Sequence, residues 1–155
     1  MLQRIQTVYL LIVAILYVVA LFFPYASFFT PEGVEYAFSF KGLSPVDQPA
    51  WHWDFNTAWF SLIMAVIPAL SLVTVNLYKK RMLQIRLSVF NIILMLGSYG
   101  LFFITKTMMG HSIEIETLSY HWTLIVPAVS AILTYLAIRA IGKDEVLVRS
   151  LDRIR

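Results

Sequence analysis

The chain has 155 residues, of which 59% are hydrophobic and only 14% are charged, and its formal net charge is +3. So few charged side chains cannot cover the surface of a soluble domain of this size, and the basic residues flank apolar stretches instead of forming a patch for nucleic acid. The absence of cysteine excludes disulfides, thiolate metal sites and dithiol redox enzymes, including the four-helix disulfide oxidases that use quinone.

Four apolar stretches predict an all-α membrane protein, a bundle of four transmembrane helices. The predicted spans are about residues 6–24, 57–78, 85–104 and 121–141. Each comes close to the roughly 20 residues that cross a hydrocarbon core about 30 Å thick. The whole chain is expected to form one domain, with loops at 25–56 and 105–120 on one side and a tail at 142–155 on the other.

The distribution of basic residues predicts how this bundle is oriented. Ten of the 12 lysines and arginines lie in the first residues, in the connection between the second and third spans counted as far as Arg86, or in the tail counted from Arg139. Because cytoplasmic segments carry the excess of Lys and Arg, we expect both termini in the cytoplasm and both loops in the periplasm. The four tryptophans, at the outward ends of the spans, support this orientation.

Alternating apolar and polar residues predict short strands in both outward loops. Residues 34–40 read as a strand that pairs with 26–30, with Pro31-Glu32-Gly33 as the turn and 42–45 as the end of the hairpin. Residues 112–117 alternate again and are expected to join the hairpin in a small periplasmic sheet. Four helices with strands in both outward loops resemble the claudin-like layout in topology only, since the paired cysteines of that family are missing.

Histidines and acids in the outward loops are the only set of side chains that could hold a metal. The weak metal candidates are His52, Asp54, His111 and His121, with Glu114 and Glu116 nearby. No dense ligand motif such as His-Glu-x-x-His is present, so solvated side chains are the simpler interpretation. The sequence predicts no bound cofactor and no catalytic residue.

The interior of the predicted spans carries no ionisable residue, which argues against an ion-coupled transporter. Small residues at helical spacing, in Ala65-x-x-x-Ala69, Gly97-x-x-Gly100 and Ser130-x-x-x-Thr134, predict close helix packing. Asn91 is expected to form a hydrogen bond across the bundle. Pro68 and Pro127 are expected to bend their helices, and with Gly97 they could instead shape a crevice for a lipid or quinone.

The tail has the pattern of an amphipathic helix that begins at Asp144, after Gly142. Leu147, Leu151 and Ile154 fall on one face, so the helix is expected to lie on the inner leaflet or to dock on a partner protein. Arg4, Asp144 and Glu145 are all expected on the cytoplasmic face of the membrane, where Arg4 could reach either acid. The predicted partner or membrane-surface patch consists of Arg4, Asp144, Glu145, Leu147, Arg149, Leu151, Arg153 and Ile154.

The two ends of the chain, residues 1–9 and 139–155, resemble the signatures of an uncharacterised four-helix inner-membrane family of Bacteroidota. This resemblance covers the whole chain. It implies a bacterial inner-membrane location with the outward loops in the periplasm, and it brings no activity and no catalytic residues.

Three functions are compatible with these features. The first is a non-catalytic accessory or assembly subunit of a larger membrane complex, with the lipid bilayer and other inner-membrane subunits as partners and no nucleic acid. The second is a lipid- or quinone-binding membrane protein. The third is a metal-dependent enzyme that faces the periplasm. The oligomeric state is left open.

Overall fold

A computed structural model of the chain describes residues 5–31, 33–47, 55–77, 80–110 and 117–152. Four α-helices, one 3-10 helix and four short strands make up the described part. The elements, in chain order, are α1 (Ile5–Ala20), β1 (Ala26–Phe29), β2 (Glu35–Ser39), β3 (Gly42–Pro45), α2 (Phe55–Asn76), α3 (Arg81–Gly110), β4 (Thr117–Tyr120), the 3-10 helix Trp122–Ile125 and α4 (Val126–Asp152).

The four α-helices form a ring in which each packs against two neighbours. The contacts join α1 to α2, α2 to α3, α3 to α4 and α4 back to α1. The core of this ring includes Leu10, Val13 and Tyr17 of α1, which are almost fully buried. Many large apolar side chains lie exposed on the outside of the ring instead, as expected of helices whose solvent is lipid.

Within the described residues, three helical segments are long and apolar enough to cross a membrane, and they mark the chain as a membrane protein. They are Ala58–Asn76, Arg81–Met108 and Trp122–Asp144. The described part of α1 is equally apolar but has only 16 residues, which is about 24 Å of helix at a rise of 1.5 Å per residue. Helix α3 is longer than the predicted 85–104, because its polar ends, from Arg81 and beyond Lys106, are also helical.

The predicted outward sheet is present and has four antiparallel strands in the order β3-β2-β1-β4. The hairpin predicted from residues 26–30 and 34–40 is confirmed as β1 and β2, with Ser27 opposite Ala37. Gly33 makes the turn possible, because its φ of 79° is strained for residues with a Cβ, and its N–H donates to the Thr30 carbonyl at 2.9 Å.

One detail of the predicted sheet is wrong, and another lies mostly outside the described residues. Residues 42–45 do not end the hairpin but form β3, because Gly42 adopts a φ of 103° and turns the chain back along β2. The strand of the second loop is Thr117–Tyr120, which starts where the predicted strand 112–117 ends, and residues 112–116 lie outside the described part. Its predicted pairing with the hairpin is confirmed through β1.

The tail is not a separate helix that begins at Asp144, as the sequence suggested, since α4 continues without a break through Gly142 to Asp152. A glycine inside a helix costs only about 1 kcal/mol relative to alanine. No proline or capping residue stops α4 at this point, so the helix propagates. The tail therefore extends the direction of the last span.

Two expectations about helix packing are also corrected. Gly97 and Gly100 do not admit a neighbouring helix, because nothing lies within 4 Å of where their Cβ atoms would be. Pro127 is the second residue of α4 and follows the 3-10 helix. In the first turn of a helix its missing N–H has no intrahelical partner to lose, so no bend is required there. Pro68 does lie inside α2.

Candidate functional site

One face of α3 is buried along its whole length and is unusually polar. The buried residues of this face are separated alternately by four and three positions in the sequence, which is the spacing of residues on the side of a helix that packs against other helices. They are Gln84, Ser88, Asn91, Met95, Ser98, Phe102 and Thr105. In a membrane, lipid solvates apolar side chains as well as a protein core does, so the hydrophobic effect does not drive helices together. Close packing and hydrogen bonds between buried polar side chains hold the helices together instead.

The end of this face away from the sheet is joined to α2 by side-chain hydrogen bonds. The Asn91 Nδ2 atom donates to Ser71 Oγ at 2.8 Å, which confirms the predicted hydrogen bond across the bundle. The Gln84 Nε2 atom donates to the Thr74 carbonyl at 3.1 Å. We call Gln84, Ser88 and Asn91 of α3, together with Ser71 and Thr74 of α2, the polar seam.

The side-chain amide nitrogens of the polar seam have partners, but several of its oxygens do not. Gln84 Oε1, Asn91 Oδ1 and Ser88 Oγ are buried and have no hydrogen-bond partner within the described part of the chain. The same is true of Gln6 Oε1 on α1. A buried acceptor that stays unpaired costs roughly 1–3 kcal/mol. The described protein groups thus leave these oxygens, and the hydroxyl hydrogen of Ser88, without a hydrogen bond.

The opposite end of the bundle is closed by an aromatic plug, which we define as Tyr25, Phe38, Phe60 and Phe102. Phe38 enters from β2, and its ring centroid lies 5.0 Å from that of Phe60 on α2 and 5.9 Å from that of Phe102 on α3. Tyr25 meets Phe60 edge-on at 5.1 Å. Burial raises the pKa of Tyr25 well above its usual value, so the phenol is neutral across the physiological range. The sheet and the bundle therefore share one core.

Polar side chains fasten the same sheet to the helices. Ser61 on α2 donates to the Phe40 carbonyl, and Thr123 in the 3-10 helix donates to the Pro24 carbonyl, both at 2.5 Å. The His121 ring Nε2 lies 3.0 Å from Ser27 Oγ, and the His121 backbone N–H donates to the Tyr25 carbonyl. His121 thus joins the entry of the last helix to β1.

His121 is the only one of the four metal candidates in the described part, since His52, Asp54 and His111 lie outside it. Among the described residues, no three His, Cys, Asp or Glu side chains come together. The predicted metal set stays a prediction.

The predicted cytoplasmic patch is described at one position, Asp144. Its backbone carbonyl accepts a hydrogen bond of 3.0 Å from Arg81 Nη1, so the start of α3 contacts the extension of α4. Arg4, the predicted partner of Asp144, lies outside the described residues, as do Arg153 and Ile154. Glu145, Leu147, Arg149 and Leu151 are described only as backbone of α4.

Of the residues of the predicted crevice, Gly97 is exposed and both Pro68 and Pro127 are buried, and the crevice stays a prediction. An open apolar groove of about 210 Å³ lies between α1 and α2. The groove is lined by Leu11, Ala14, Ile15, Val18, Val19 and Leu72. An apolar lining of this kind suits an acyl chain.

Sequence reasoning missed the register of the polar seam, although its signal was present. It named Asn91 and the small-residue motifs, and of those motifs Ser130-x-x-x-Thr134 is indeed fully buried. The polar residues at 84, 88, 91, 98 and 105 are spaced by four, three, seven and seven residues, so all of them fall on one side of a helix, and this spacing identifies the face.

Comparison with known proteins gives a family but no activity. Neither the curated proteins nor the solved structures contain a match to the chain. The model of the family DUF4293, a domain of unknown function, matches residues 2–154. Because this match takes in nearly the whole chain, the protein belongs to the DUF4293 family.

Proposed function

We propose that the protein is a non-catalytic accessory or assembly subunit of a larger complex in a bacterial inner membrane. The observation that carries this proposal is the unbroken course of α4 from its membrane-spanning segment to Asp152. A helix that extends beyond the membrane without a break or hinge holds its last turns in a fixed direction, in which other proteins can bind them.

The length of α4 supports this interpretation. Its 27 residues correspond to about 40 Å, whereas the hydrocarbon core is about 30 Å thick. The apolar run of the sequence ends at Ile141, before Lys143 and Asp144, and α4 continues from there to Asp152. Along this extension the sequence places Leu147 and Leu151 four residues apart, on one side of the helix.

The contact between Arg81 and Asp144 supports it further. It joins α4 to α3 where both leave the apolar part of the bundle. A charge-assisted hydrogen bond at this point restrains the base of the extension, so less conformational entropy is lost when a partner binds there.

The proposed orientation has four spans, with both termini in the cytoplasm and the sheet in the periplasm. We expect α1 and the residues after it to form the fourth span. The cysteine-free chain allows a clean test. Lys41→Cys, at an exposed position next to β3, should react in intact cells with a membrane-impermeant maleimide, and exposed Lys143→Cys should react only after lysis. The reverse labelling, or labelling of both in intact cells, would contradict this topology.

The subunit role is tested by native mass spectrometry of the tagged protein, purified in mild detergent from its own host. Discrete partner subunits at fixed stoichiometry are the expected result. Charge reversal at Asp144 and Glu145 should lower partner recovery at least tenfold, because it changes the electrostatics at the base of the extension. Asp47→Lys, an exposed charge reversal at the sheet end, is the matched control and should leave recovery unchanged. Equal recovery with both variants would contradict the proposal.

A second candidate function, binding of a lipophilic molecule, is favoured by the apolar groove between α1 and α2. If this function is correct, native mass spectrometry should show a single protomer or a homodimer that carries a small molecule of defined mass. Replacing Ala14 in the groove by phenylalanine should remove that adduct.

A further inference from the structure

We propose that the polar seam is a binding site for ordered water inside the bundle, distinct from the contacts by which the protein would meet a partner. Gln84, Ser88 and Asn91 are at most 1% exposed. The amide nitrogens of Gln84 and Asn91 already donate to α2. Their oxygens, and the hydroxyl of Ser88, have no partner among the described residues.

The spacing of the three acceptors matches bridging by single water molecules. Gln84 and Ser88 are four residues apart on α3, and Ser88 and Asn91 are three apart, so each pair lies one above the other with Cβ atoms about 5–6 Å apart. A water molecule that donates to two oxygens spans such a separation, and buried waters typically make about three hydrogen bonds to otherwise unsatisfied groups. Two waters, one between each pair, would each donate to one amide oxygen, Gln84 Oε1 or Asn91 Oδ1, while the Ser88 hydroxyl accepts from one water and donates to the other.

The chemistry of the seam selects water over a cation. The unpartnered atoms are neutral amide and hydroxyl oxygens. None of the five residues of the polar seam is a carboxylate that could neutralise a buried positive charge, and an uncompensated ion in a low-dielectric interior is strongly disfavoured. Water supplies the missing donors without bringing charge.

The seam lies nearer one end of the bundle than the other. Gln84 is the fourth residue of α3 and Thr74 lies two residues before the end of α2, so the seam starts close to where α2 ends and α3 begins. Toward the sheet, the rings of the aromatic plug pack against one another. We therefore expect water to exchange through the α2–α3 end and not to pass through the bundle.

The test is solid-state NMR of the native protein in lipid bilayers, with ¹⁵N in asparagine, glutamine and methionine. The chain has only three asparagines and four glutamines, so the side-chain amide signals are few. We expect the Asn91 and Gln84 amides to gain polarisation from water at a rate within twofold of Asn76, which is exposed. The backbone amide of Met95, fully buried one turn beyond the seam, should be at least fivefold slower.

A Ser88→Ala variant tests the bridging arrangement. Alanine is a better helix former than serine, so the bundle should stay folded. Removal of the shared hydroxyl should slow the transfer from water to both Gln84 and Asn91 at least twofold and leave Asn76 unchanged. Transfer to Asn91 and Gln84 as slow as to Met95 in the native protein would show a dry seam and overturn the proposal, and unchanged transfer in Ser88→Ala would overturn the bridged geometry.

Discussion

Replacement of Phe38 by alanine is expected to lower the free energy of unfolding by about 3 kcal/mol, in the range typical of buried Phe→Ala changes. Phe38 is 1% exposed and contacts Phe60 and Phe102, so its removal leaves a cavity between the sheet and two helices. The four tryptophans report unfolding, by fluorescence, during titration of the protein from mild detergent into a denaturing one.

The matched control is Phe22→Ala, because Phe22 is the same residue type but is 81% exposed. Its expected effect is within about 0.5 kcal/mol, as for most substitutions outside a packed core. If both variants unfold at the same detergent fraction, the aromatic plug does not join the sheet to the bundle.

Replacement of Lys143 by proline is expected to separate the last turns of α4 from its membrane-spanning segment. A proline inside a helix removes one backbone hydrogen bond and clashes with the carbonyl of the preceding turn, at a cost of about 3 kcal/mol. Position 143 is exposed, so the effect acts through the backbone and not through loss of packing. The expected result is insertion at the normal level with loss of partner recovery in native mass spectrometry.

Lys143→Ala is the control for this variant, because it removes the same charge and keeps the helix. Partner recovery should then stay within twofold of the native protein. A proline variant that recovers its partner as well as the alanine variant would mean that a rigid extension is not needed for binding.

The hairpin in the first loop could be predicted from sequence because its signals are local. The alternation in residues 34–40 and the glycine at 33 define two strands and a turn without information from the rest of the chain. The role of residues 42–45 was harder to infer. Gly42 reads equally as the end of a hairpin and as a second turn, and only pairing with β2 decides between them.

The helix interior is harder to predict, because small residues occur both at packed interfaces and on helix faces turned toward lipid. Glycines at helical spacing resemble a packing motif, yet which side of α3 turns inward depends on how α3 packs against α2 and α4. Gly97 is exposed, whereas the adjacent Ser98 is almost fully buried. A difference of one residue, about 100° around the helix, separates these two outcomes.

The order of the sheet has a consequence for how the chain is assembled. β1 lies between β2, its neighbour along the chain, and β4, which is synthesised only after α2 and α3. Until β4 arrives, one edge of β1 has no strand from this sheet to pair with. The β1–β4 ladder, with Ser27 opposite Ser119, then fastens the entry of the last helix to the exit of the first. The pairing of an early strand with a late one thus completes the sheet before α4, which follows β4 in the chain, can close the ring of helices.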